Sequence, residues 1–183
     1  MKKQTFLLLA ISMLTLSMLW LGLTPTLFPS AETNAQVAAP HPGFFAPDFT
    51  LSSIEGKSIS LSDYEDRVVL MLLWASWCSV CKSTMPGLQE VFQDYASQGF
   101  EVLAVNMTFQ DNLEEAVNFY QSENLTYPFL LDQNGNTARA YQLHSLPTAV
   151  LIDQEGIVLD VIIGSGISSG LLRSQLDQLL LER

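Results

Sequence analysis

The stretch Val68-Val69-Leu70-Met71-Leu72-Leu73-Trp74-Ala75-Ser76-Trp77-Cys78-Ser79-Val80-Cys81-Lys82 decides the reading of this chain. Its first seven residues are apolar without alternation, as in a strand buried on both faces. The run then breaks into small and polar residues and two cysteines, the only two in the chain. A helix is expected from about Cys78 to Ala96. Positions three apart share a helix face, so both sulfurs point the same way and can close a small disulfide ring. So short a ring constrains the unfolded chain little, and its value is chemical: it can open and close. Zinc would need two further ligands, and the chain offers only His41 and His144.

The sulfur at the strand-to-helix junction faces unpaired N–H groups and the positive end of the helix dipole, which favour an anion. The thiolate is the nucleophile of disulfide exchange. Cys78 is therefore expected to be the attacking, more exposed sulfur and Cys81, one turn inside, the resolving one. In the same helix Met85, Leu88, Val91, Phe92 and Tyr95 form an inner face, and Pro86 predicts a kink.

Further out, Phe49–Leu51 and Ile59–Leu61 flank Glu55-Gly56-Lys57, a hairpin signal. Ser62–Glu65 reads as one capped turn. Glu101–Met107 is a second buried strand. Asp111, with Glu114 three residues on, reads as the cap of a helix whose stripe is Leu113, Ala116, Val117 and Tyr120. Strand Tyr127–Leu131, a turn at Asp132–Gly135 and a short helix Thr137–Tyr141 follow. Thr148–Ile152 and Ile157–Ile163 form a hairpin around Asp153-Gln154-Glu155-Gly156. A last helix, Ser168–Leu181, turns Leu172, Leu176 and Leu179 inward. The order gives an α/β protein, a central mixed sheet with helices on both faces. No internal repeat is present.

The chain has 183 residues and a formal net charge of −11. Lys2 and Lys3 precede an uncharged apolar segment, Thr5–Leu23. It reads either as a retained signal anchor or as a signal peptide cut near Thr33-Asn34-Ala35; both leave the lysines in the cytoplasm and export the rest. No cysteine follows to take a lipid. Thr24–Ala46, with Pro25, Pro29, Pro40 and Pro42, reads as an extended tether. The expected organisation is thus 1–23 anchor or signal, 24–46 tether, 47–183 folded domain. Residues 36–183 carry six basic and eighteen acidic residues, a balance that excludes nucleic acid and anionic lipid as partners and suits a soluble monomer. Export would place the cysteines where disulfides persist. Asn124-Leu125-Thr126 fits a glycosylation sequon, a pattern common by chance.

Over roughly Ala46–Arg183 the sequence resembles the thioredoxin superfamily, and within it the membrane-tethered TlpA/ResA-like thiol–disulfide oxidoreductases. The resemblance rests on Trp77-Cys78-Ser79-Val80-Cys81-Lys82, on Pro86, on Leu146-Pro147-Thr148, and on the βα unit at about 101–123, which is similar to that branch's insertion. It implies a thioredoxin fold with an N-terminal hairpin extension. It implies that Pro147 is cis and holds the Leu146 backbone beside the cysteines, where a partner strand can pair, and that Trp77 covers one side of the disulfide, the alternative for Trp77 being core packing. Substrate-binding residues are then Trp77, Leu146, Pro147 and Thr148. Trp74 reads as core and His144 as a surface residue. No cofactor and no metal is expected. The implied substrates are protein disulfides, apocytochrome c before haem attachment among them, with electrons from a membrane thiol carrier. Three positions depart from the pattern: Leu72 stands where a polar or acidic residue is usual, Thr84 where that branch often has glutamate, and Ser145 where glycine is frequent. The first two remove carboxylates that would help deprotonate the resolving thiol. Three alternatives remain: an oxidant that donates its disulfide, a thiol peroxidase (which needs a threonine where Ala75 stands), and a binding module with incidental cysteines.

Overall fold

The computed structural model describes residues 38–181. The expected anchor or signal segment lies outside the described residues, as does most of the expected tether. Among the described residues no helix is long and apolar enough to cross a membrane.

Seven strands form one mixed sheet in the order β2-β1-β5-β4-β3-β6-β7. The strands are β1 Thr50–Ser53, β2 Ser58–Ser60, β3 Val68–Trp74, β4 Phe100–Asn106, β5 Phe129–Leu131, β6 Thr148–Ile152 and β7 Val158–Ile163; the helices are α1 Ser79–Tyr95, α2 Leu113–Ser122, α3 Asn136–Ala140 and α4 Ser169–Leu181. β3 is an interior strand of the sheet. It pairs in parallel with β4 and antiparallel with β6 along nearly its whole length. All seven of its residues are buried, which is why its sequence shows no alternation.

The pleat still sorts them. Val68, Leu70, Leu72 and Trp74 face one core with Met85, Leu88 and Val91 of α1, Ala116 and Tyr120 of α2, and Leu172 and Leu176 of α4. Val69, Met71 and Leu73 face the second core, closed by Leu61, Ala138 and Tyr141. Helices thus cover both faces, as the pattern predicted, and the βαβ crossovers leave the carboxyl ends of β3 and β4 free to carry a site.

The structure shifts the ends of most elements by one or two residues from the sequence reading, and some differences have a clear physical reason. Strand β5 begins at Phe129 rather than Tyr127, because Pro128 has no N–H to give a ladder; its carbonyl accepts from Ala104. Residues 38–46, read as the end of the tether, are bound to the domain. The Gly43 and Ala46 N–H groups donate to the Val158 and Gly156 carbonyls, and Phe45 bridges to Ile157. A composition of proline and alanine hides this, since the bonds are backbone ones. The cap of α2 is Asn112, whose side-chain oxygen accepts from the Glu115 N–H at 3.2 Å, and not Asp111. Leu113 is consequently exposed, while Ala116 and Tyr120 carry the buried stripe.

Candidate active site

Three chain segments meet where β3 ends. The first is the turn Ala75–Trp77. The Cys78 N–H donates to the Ala75 carbonyl at 3.1 Å, and α1 starts at the next residue with Cys78 as its N-cap. The extended backbone of Cys78 lets its sulfur accept the Cys81 N–H at 3.1 Å. A cysteine thus fills the place that serine or aspartate usually takes at a helix start. The two sulfurs form a disulfide, with Cα atoms 5.3 Å apart. Cys78 is 7% exposed and Cys81 0%.

The second segment precedes β6. Thr148 pairs with Leu73 of β3 and with Ile163 of β7, which brings the residues before it to the disulfide end of the sheet. The Leu146–Pro147 bond is cis, as the resemblance implied. Thr148 Oγ1 donates across this turn to the Ser145 carbonyl at 2.8 Å, and the Pro147 carbonyl accepts from Gly164. Leu146 packs against the core that contains both cysteines. Its own N–H and carbonyl take no hydrogen-bond partner among the described residues.

The third segment is the loop after β4, a 3-10 turn at Thr108–Gln110. Trp77 is 60% exposed, so it is not a core residue; its indole N–H reaches the Gln110 carbonyl at 3.3 Å. Trp74 is the core tryptophan, fully buried between Phe119 and Phe129. Trp77 of the turn and Phe109 of the loop expose apolar surface, as do Val80 in the first turn of α1 and Ile163 at the end of β7. His144 is exposed on the loop before Leu146 and lines a shallow groove with Phe109, Arg139 and Leu143.

The departures at Leu72 and Thr84 have visible consequences. Leu72 is fully buried in the same cluster as the cysteines, so that wall is apolar. The Thr84 hydroxyl donates back to the Val80 carbonyl at 2.9 Å. No group of acidic, histidine and cysteine side chains among the described residues could hold a metal.

Sequence reading took Asp111 for a helix cap and missed its link to the cysteine turn. Its carboxylate accepts from the Ser76 N–H at 2.7 Å, the Ser76 hydroxyl at 2.5 Å and the Asn106 amide at 2.6 Å. The local signal, an acid near a helix start, pointed to capping. The real partner lies 35 positions back in the chain.

This fold and this paired-cysteine helix start define a thioredoxin-like thiol–disulfide oxidoreductase. The AhpC/TSA family profile matches residues 42–161. The thiol-disulfide oxidoreductase ResA of Geobacillus thermodenitrificans is 36% identical over 166 residues, covering 90% of this chain and 91% of that protein. Among solved structures, a putative thiol:disulfide interchange protein DsbE from Chlorobium tepidum superposes with a TM-score of 0.70 at 32% identity, over 76% of this chain and 98% of that one. StoA from Bacillus subtilis does so with a TM-score of 0.62 at 26% identity, over 70% and 95%. The chain belongs to the AhpC/TSA family and is a ResA-like thiol–disulfide oxidoreductase within it.

Proposed function

We propose that the protein reduces disulfides of exported proteins through Cys78 and Cys81. The observation that carries this reading is the asymmetry of the pair: Cys78 caps the helix and keeps a small exposed surface, and Cys81 is wholly enclosed one turn inside.

The reduced pair works in two steps. The Cys78 thiolate, favoured by the helix N-terminus and by the Cys81 N–H, attacks one sulfur of the partner disulfide. That S–S bond breaks, a mixed disulfide forms, and the partner's other sulfur leaves as a thiolate and takes a proton. Cys81 then loses its proton and attacks the Cys78 sulfur. The Cys78–Cys81 bond forms and the second partner thiol leaves, so two electrons have passed to the partner. The unpaired Leu146 backbone suits an extended partner segment, as at a free sheet edge, held by Pro147 and Thr148, with Trp77 against its side chains. The apolar wall at Leu72 leaves Cys81 no carboxylate there to take its proton, which slows the second step.

In this reading residues 1–23 anchor or export the chain, 24–37 link it to the domain, and electrons arrive from a membrane thiol carrier. Apocytochrome c, whose cysteines must be thiols before haem attachment, is the partner class best matched by the ResA resemblance. A thiol peroxidase would need a hydroxyl three residues before Cys78; Ala75 there is fully buried and has none.

The roles separate experimentally in the full chain. Cys81→Ser should accumulate mixed disulfides through Cys78, and Cys78→Ser should abolish exchange. Trapping through Cys81 in the Cys78→Ser chain, or undiminished activity when both cysteines are replaced, would overturn the assignment.

A further inference from the structure

The carboxylate of Asp111 is built into the turn that presents the cysteines. Oδ2 accepts from the Ser76 N–H (2.7 Å) and from Asn106 Nδ2 (2.6 Å); Oδ1 accepts from the Ser76 hydroxyl (2.5 Å) and from the Asn112 N–H (2.8 Å). Each oxygen therefore meets two donors, and two of the partners, Ser76 and Asn106, are buried. A carboxylate satisfies all four contacts, and each of its oxygens faces at least one N–H donor. An asparagine would turn its NH2 toward at least one N–H donor whichever way it faced.

The neighbouring loop residue holds the next position of the same turn. The Gln110 carbonyl accepts the Trp77 indole N–H, so one short loop fixes both Ser76 and Trp77, and Cys78 follows directly. Asn106 is itself tied to the loop through Thr108, whose hydroxyl donates to the Asn106 side-chain oxygen at 3.0 Å. The carboxylate thus links the end of β4, the loop and the turn into one unit.

The carboxylate is also close to Cys78 along the chain of the turn. Ser76 and Cys78 are two residues apart, which keeps their Cα atoms within about 7 Å. The charged or titratable groups on the elements around Cys78 are few. On α1 there is Lys82, whose ammonium lies 5.7 Å from the centre of the Phe119 ring. On the loop before Leu146 there is His144, exposed. On α2 there are Glu114 and Glu115, both exposed in the first turn. Asp111 alone among them is hydrogen-bonded to the turn itself.

We propose that Asp111 is the positioning residue of the redox site: it fixes the Ser76-Trp77 turn, and its negative charge raises the proton affinity of the Cys78 thiolate against the pull of the helix N-terminus. A less stable thiolate means a less stable reduced form, so the pair is a better electron donor. This supplies a carboxylate from the far side of the site in a chain that has leucine at position 72 and threonine at 84. It rests on the reading of Cys78 as the attacking sulfur of a reductase.

The test uses the full reduced chain and the pH dependence of alkylation of Cys78 by iodoacetamide. Asp111→Asn is expected to lower the Cys78 pKa by about one unit, a tenfold change, for a charge at about 8–10 Å in a half-exposed setting, and to make the pair more oxidising. Ser76→Ala, which removes one donor and no charge, should leave the pKa within about 0.3 units of the parent; Asp111→Glu, which keeps the charge, should restore most of it. An unchanged or raised pKa in folded Asp111→Asn overturns the proposal, and so does a Ser76→Ala shift as large as that of Asp111→Asn. If Asp111→Asn fails to fold, the wild-type chain decides: the carboxyl carbon-13 resonance of Asp111 should show an inflection at the pKa of Cys78, and a flat titration overturns the proposal. A wild-type potential in the oxidant range would remove the reductase reading and leave the Asp111 shift to be judged by itself.

Discussion

Reducing the Cys78–Cys81 bond should leave the protein folded and lower its melting temperature only slightly. The bond closes a loop with a sequence separation of 3. In the chain-entropy account a four-residue loop restricts the unfolded ensemble by about 2 kcal/mol. The folded state loses little when the bond opens, because the remaining support of the site does not depend on it. The Cys81 N–H still meets the Cys78 sulfur, Cys81 is still enclosed by Leu72, Met85 and their neighbours, and the turn is still held by Asp111. For a domain of this size about 2 kcal/mol corresponds to about 4–8 °C. The assay is a pair of thermal melts of the full chain by circular dichroism, one oxidised and one kept reduced by a phosphine. The sign carries as much as the size. By the thermodynamic cycle, a disulfide that stabilises the fold is harder to reduce in the folded chain than in the unfolded one, which is the behaviour of a reductant pair; a strong oxidant has its reduced form stabilised instead. Reduction that unfolds the domain would show a structural staple, and a reduced form that melts above the oxidised one would show an oxidant. Either result refutes the reasoning.

Two further outcomes follow from the core. Trp74 is fully buried against Phe119 and Phe129, and its indole N–H has no partner among the described residues. Trp74→Ala should cost about 3–5 kcal/mol, read as a drop in the urea midpoint, whereas Trp74→Phe should cost less than half of that, since it also removes the unpaired donor; equal losses would contradict this. Glu101 is buried at the start of β4; burial raises its pKa above 4.5, and the Val102 N–H and the Arg67 guanidinium, at 3.7 Å, only partly offset this. A raised folded-state pKa means that the contribution of this carboxyl to stability is fully present below the unfolded value near 4.5 and is lost as pH rises through the folded value. Glu101→Gln should therefore stabilise the protein at pH 7 and flatten that part of the stability–pH curve; a less stable variant at neutral pH would show that the ion pair outweighs burial.

The redox centre was largely legible in the sequence because its determinants are close together in the chain. An unbroken apolar run must be a doubly covered strand. Its abrupt end, followed by cysteines three apart, places both sulfurs at a helix start. The order of the other elements followed in the same way from local period and turn residues, which act over a few positions. Leu146-Pro147 was legible only through resemblance, since nothing local requires a cis bond.

What only the tertiary structure decided is which distant groups complete the site. Asp111 looked like a helix cap because aspartate before a helix usually is one, yet its carboxylate turned to the donors of Ser76 and Asn106, and Asn112 took the cap. Trp77 and Trp74 are equally aromatic and only three residues apart, but one is exposed and one enclosed; that follows from where β3 stops, not from the side chain. Residues 38–46 joined the domain through backbone bonds to 156–158, which no side-chain pattern records. Hydrophobic period and turn preference are written residue by residue, whereas a hydrogen bond across 35 positions exists only once the sheet has brought its two ends together.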